Sequence, residues 1–95
     1  ILQQLDISTD KLDLLNIESY DVTIIFGMPY PKSKMRKNMP SLSEIPHTVK
    51  PDLDNLIKFV LDAGNGILWS DDKKIIKLVC KKMYVNEPKT IISIE

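Results

Sequence analysis

One cysteine, Cys80, is all the chain contains, so no internal disulfide can form and stability must come from packing. Its position in an alternating apolar run makes it a small core residue rather than a nucleophile. No stretch approaches the ~18 to 20 apolar residues of a membrane span, and no signal peptide of basic start, apolar middle and small-residue cleavage site is present. These absences fit a reducing compartment, and a cytoplasmic protein is the expectation. Formal net charge is zero, with 13 basic against 13 acidic side chains, so any contact with a polyanion must be a local patch. An opening methionine is also missing, and the first residues begin in mid-pattern at Ile1, which leads us to expect that the native start lies upstream.

What is present describes an ordinary globular domain. The chain is 43% hydrophobic and 27% charged, outside the regime of disordered sequences. Ninety-five residues suit a single domain spanning 1–95, one that removes roughly 60 to 65% of its unfolded surface on folding.

Periodicity divides the chain into elements. Leu2, Leu5, Leu12, Leu14, Leu15 and Ile17 follow no clean period, and Ser8, Thr9 and Asp10 suit a cap for a short helix starting near Thr9 or Asp10. Residues 20–28 read as a strand with Tyr20, Val22, Ile24 and Phe26 on one face. Five prolines then punctuate 29–51, which reads as one long loop of about twenty residues, a length uncommon unless functional or mobile. Its Lys32, Lys34, Arg36 and Lys37 lack an intervening acid and form a candidate phosphate-contacting arm; solvated surface charge is the plainer alternative. Leu53, Leu56, Ile57, Val60 and Leu61 recur at the spacing of a buried helical stripe, predicting a helix over about 53–63. Asp52 or Asp54 can cap it, and Gly64 can supply a left-handed terminal residue. Turns at 64–66 and 70–72 flank a short apolar segment, 67–69. A strand over 75–85 and a final strand over 90–94 are expected to form a hairpin. The order implies an α+β domain, a small antiparallel sheet packed on one main helix.

Residues 50–72 gather five of the thirteen acids, including the pairs Asp52/Asp54 and Asp71/Asp72. Were the pairs to converge, their oxygens could hold Mg²⁺ or Mn²⁺ for phosphate-ester hydrolysis. Asp54, Lys58 and Asp62 share one helix face at i, i+4 and i+8. On local pattern alone the plain reading leads: Asp52 caps the helix, Asp54 pairs with Lys58 for a few tenths of a kcal/mol, and Asp71/Asp72 is a turn. His47, the single histidine, is either polar surface or a pocket group, while Trp69 in its ILW run is core rather than a base-stacking platform.

Taken in order, KPDLDNLIK, the helix ending LDA and GNGILWSDD resemble the RusA family of Holliday junction resolvases, endodeoxyribonucleases often encoded by bacteria and their prophages. The resemblance covers residues 19–95. It implies a Mg²⁺-dependent homodimer that binds four-way DNA junctions, in recombination and repair, and cuts two opposed strands symmetrically. Its metal-binding carboxylates fall on Asp52, Asp54 and Asp72, with Asp71 the runner-up to Asp72, and its essential lysine on Lys58. The departure is N-terminal, where relatives carry another strand and a basic, hydroxyl-rich segment. The alternatives are a non-catalytic junction-binding module that keeps the fold, and a small structural domain whose acids only cap and turn.

Overall fold

The computed structural model describes residues 5–9, 14–30 and 42–95. Strand β1 covers Leu5–Thr9, β2 Tyr20–Pro29, β3 Leu42–Pro46, β4 Ile75–Val85 and β5 Lys89–Ile94; the one α-helix, α1, covers Leu53–Gly64. Short 3₁₀ turns sit at Leu14–Asn16 and Asp72–Lys74. The strands form a single sheet in the order β1-β5-β2-β4-β3.

The expected α+β class, one helix on a small sheet, is what the chain adopts, but the sheet is mixed rather than antiparallel throughout. β2 and β4 run parallel, in register from Asp21 against Lys77 to Pro29 against Val85. The cause is α1: a helical crossover returns the chain to the end of the sheet where β2 began, so the next strand must repeat its direction. The expected terminal hairpin does not form either, because β2 occupies the slot between β4 and β5 and pairs antiparallel with β5. The 86–88 connection therefore passes over the end of β2. Gly27 is where it passes: a Cβ there would lie 2.7 Å from the Val85 side chain and 2.9 Å from the Lys89 carbonyl, closer than real atoms allow.

Two further differences lie outside the central strands. The 29–51 region is not loop throughout, since β3 pairs antiparallel with the end of β4, Leu42 against Val85 and Pro46 against Met83. Near the N-terminus, Thr9 ends a strand parallel to β5 instead of opening a helix, and the rest of that expectation, 10–13, lies outside the described residues. A strand of exposed residues with a cap-like Ser-Thr at its end carries no clear period, which is why β1 escaped sequence reading.

The core lies between α1 and one face of the sheet. Tyr20, Val22, Ile24 and Phe26 of β2 are at most 1% exposed, as alternation predicted, and meet Ile92, Ile94, Leu56, Val60 and Trp69. Trp69 is fully buried against the last turn of α1, where a Cβ on Gly64 would come within 2.7 Å of the indole. Gly64 is thus a packing glycine that ends the helix, and the left-handed residue expected there is Gly66, at φ +79°. No helix among the described residues is long and apolar enough to cross a membrane.

Candidate metal and nucleic-acid site

The helix entrance is built by contacts that the sequence did not advertise. Asp52 occupies the N-cap position with extended backbone, φ −68° and ψ 145°, but its side chain makes no capping hydrogen bond. Instead the Asp54 carboxylate accepts from the Asn55 N–H at 3.0 Å. Asp52, Asp54 and Lys58 are all exposed, and Asp54 and Lys58 make no ion pair with each other despite their i, i+4 spacing. Leaving this ion pair unmade costs little in water, because a surface pair of this kind is worth only ~0.3–0.5 kcal/mol. Lys50, Pro51, Asp52 and Asn55 line an open hollow of about 510 Å³ at this end of the domain.

Lys82 fixes that hollow. It sits beside Phe26 on the helix-facing side of β4, and its ammonium donates to the carbonyls of Val49 and Pro51, both at 2.6 Å, one on each side of Lys50. The His47 N–H in turn donates to the Lys82 carbonyl at 3.1 Å. The segment delivering Asp52 is thereby fastened to β4 from three points. A lysine at an inward position of an apolar strand face was the available signal, and it read as ordinary alternation.

His47 is buried, 7% exposed, not the polar surface group a lone loop histidine usually is. Its ring lies 4.9 Å from that of Tyr84, which stacks on Tyr30 at 5.3 Å. Burial, reinforced by the Lys82 charge, pushes the imidazole below its ordinary pKa, so the ring is neutral at pH 7. Its Nδ1 and the Tyr30 hydroxyl have no hydrogen-bond partner among the described residues. Tyr30, engaged in this stack, is not an open platform for a nucleic-acid base.

The far end of α1 uses its acids differently. The Asp71 carboxylate accepts from the Lys73 N–H at 3.0 Å, a bond that lowers its pKa with help from the nearby Lys73 charge. Asn65, the helix C-cap, accepts the Asp72 N–H at 3.0 Å through its side-chain oxygen, which leaves the Asp72 carboxylate exposed. Asp71 thus serves the turn, and Asp72 is the outward-facing member of the pair.

These two ends do not meet within the chain. Twelve helical residues separate them, a span of ~18 Å at 1.5 Å per residue. Among the described residues no three His, Cys, Asp or Glu side chains gather closely enough to hold a metal ion. Of the residues singled out from sequence, the structure brings Asp52, Asp54 and Lys58 to one end and places Asp71 and Asp72 at the other. Lys32, Lys34, Arg36 and Lys37 lie outside the described residues. Cys80 is half-buried, with burial raising its thiol pKa, as suits a packing residue.

A mixed sheet with a helical crossover, two exposed aspartates at the helix entrance and a third beyond the helix exit define a small α+β domain whose exposed carboxylates are divided between the two ends of α1. The sequence profile of endodeoxyribonuclease RusA matches residues 3–95, and the chain belongs to that family. It is also 35% identical over 78 residues to the uncharacterized protein YqaN of Bacillus subtilis (strain 168), a match covering 80% of this chain and 55% of that protein. The chain therefore spans about half the length of the curated relative it matches. No solved structure matches at a significant level.

Proposed function

We propose that the chain carries the active centre of a Mg²⁺-dependent, structure-selective endodeoxyribonuclease that resolves four-way DNA junctions as a homodimer in the cytoplasm. The observation that carries this reading is the family match over 3–95 together with a helix entrance where Asp52 and Asp54 are both exposed and Asp52 makes no capping hydrogen bond. Asp52, Asp54 and Asp72 supply only hard oxygen donors, the chemistry that suits Mg²⁺ or Mn²⁺. When bound, such an ion neutralises the acidic cluster toward a phosphate, polarises a phosphoryl oxygen and makes hydroxide available near neutral pH.

The chain's own residues do the rest. Lys58, one turn along the helix from Asp54, holds the scissile phosphate and stabilises the charge that builds on it. Lys82 keeps the 49–51 segment, and with it Asp52, from swinging away. Lys32, Lys34, Arg36 and Lys37 contact backbone phosphates without reading sequence.

One specific observation supports the second reading, a non-catalytic junction-binding module: a single subunit lacks a complete acidic set. A cleavage assay on a synthetic four-way junction against linear duplex, with and without Mg²⁺, separates the two. The nuclease reading expects Mg²⁺-dependent paired nicks in the junction alone, and loss of cutting with retained binding in Asp52→Asn. Cleavage undiminished in Asp52→Asn sinks the site assignment, and metal-independent binding with no nicking on any branched substrate favours the module.

A further inference from the structure

The chain holds six aromatic side chains, all among the described residues, and the fold buries every one of them except Phe59. Tyr20, Phe26, Tyr30, Trp69 and Tyr84 are at most 7% exposed, packed in the core or in the stack beside His47, whereas Phe59 is 55% exposed. Trp69 and Tyr30, the aromatics that the sequence offers for contact with a base, are thereby closed to one. The aromatic face left open stands on α1.

A lone exposed apolar side chain is ordinary on a protein surface, so exposure carries nothing by itself. Position does. Phe59 lies outside the buried Leu56, Val60 and Gly64 stripe, one turn beyond Asn55, which lines the hollow with Lys50, Pro51 and Asp52. Lys58 directly precedes it, and successive helical residues point about 100° apart, so the ring and the ammonium project from adjoining flanks of the same turn. Asn55 and Asp62, at i−4 and i+3, are exposed and bracket the ring with polar groups. Phe59 does not line the apolar groove that Leu5, Ile7 and Ile67 form near the helix exit.

We propose that Phe59 stacks on a base at the branch point of the DNA substrate while Lys58 holds a neighbouring phosphate. This rests on the four-way-junction reading above and deepens it, by naming a residue that separates a junction from a linear duplex.

The surroundings of the ring favour a base over a protein or lipid partner. Either of those would need further apolar surface around the ring, and the flanking positions on its face carry an amide and a carboxylate instead. A group that is apolar on its face and polar at its rim fits this setting, and a nucleobase is such a group. Every base has a stacking face, so the contact adds affinity without reading sequence. Preference for the junction follows from what the DNA must give up. Inside a linear duplex each base is already stacked on both sides, and exposing one is costly; pairs at a branch point end their helical arms and yield a face more easily.

Binding rather than cutting tests this, with Ca²⁺ in place of Mg²⁺ and fluorescence anisotropy on a four-way junction and a linear duplex of the same arm sequence. Phe59→Ala is expected to bind the junction about tenfold more weakly than wild type and the duplex within about twofold of it. Its melting temperature should match wild type, because the side chain lies outside the core. Phe59→Tyr, which keeps the flat ring, is expected to bind the junction as wild type does, and Phe59→Leu, which keeps only the apolar character, to behave as Phe59→Ala. Undiminished junction binding by Phe59→Ala, equal losses on junction and duplex, or full affinity in Phe59→Leu would each overturn the role of the ring and leave the junction reading standing. A wild type that binds junction and duplex alike defeats the junction reading, and the role of Phe59 with it.

Discussion

The two ends of α1 carry the same residue type in the same density, yet they are built on opposite plans. At the entrance the backbone is fastened by a buried aromatic cluster and a lysine, so that Asp52 is spared from capping and Asp54 makes only one bond, to the neighbouring Asn55 N–H. At the exit the backbone is fastened by Trp69 packed on Gly64, while Asp71 is consumed by its own turn and Asp72 alone is left outward. Where acids cap and turn, they are local structure. Where other residues take over that work, the carboxylates become available to a cation.

This contrast predicts unequal sensitivity to mutation. Trp69→Ala removes the anchor of the exit and is expected to cost about 3–5 kcal/mol, seen as a large fall in the chemical-denaturation midpoint. Lys82→Met keeps the strand but frees the Val49 and Pro51 carbonyls; hydrogen bonds to a charged group are worth ~1.5–3 kcal/mol, reduced here by partial solvation. Its stability loss is expected to be about 1–2 kcal/mol, with a disproportionate loss of Mn²⁺ affinity in calorimetry. Equal losses at both readouts would show that Lys82 merely supports the fold.

The smaller effects are in pH. His47 has a lowered folded-state pKa, so its contribution is full above the unfolded value of 6.5 and is lost as pH falls through the lower folded value. Melting temperature should therefore drop on acidification below pH 6.5, and His47→Gln should flatten that part of the profile. Asp71, also lowered, stabilises above its unfolded value of 3.8 and ceases to do so as pH falls further. Asp71→Asn is expected to lower the melting temperature slightly at neutral pH and to match wild type in strong acid.

Much of this was legible before any coordinates. The stripe Leu53, Leu56, Ile57, Val60 and Leu61 marked the helix, and the alternation from Tyr20 to Phe26 marked the central strand, because each pattern reflects a single buried face. Strand order was not legible. A three-residue link between β4 and β5 reads as a hairpin locally, and only Gly27, in the strand it crosses, betrays that a third strand lies between. At the site, sequence spacing named the acids but carried no information on whether eighteen intervening residues bring them together or hold them apart. A straight helix between them holds them apart.

The most direct measurement is cutting of a synthetic four-way junction, with and without Mg²⁺, by wild type, Asp52→Asn and Asp71→Asn. The account predicts Mg²⁺-dependent nicking by wild type and by Asp71→Asn, whose carboxylate serves its own turn, and none by Asp52→Asn, whose carboxylate makes no capping bond. Undiminished cutting by Asp52→Asn, or none by a folded Asp71→Asn beside a wild type that cuts, would contradict it.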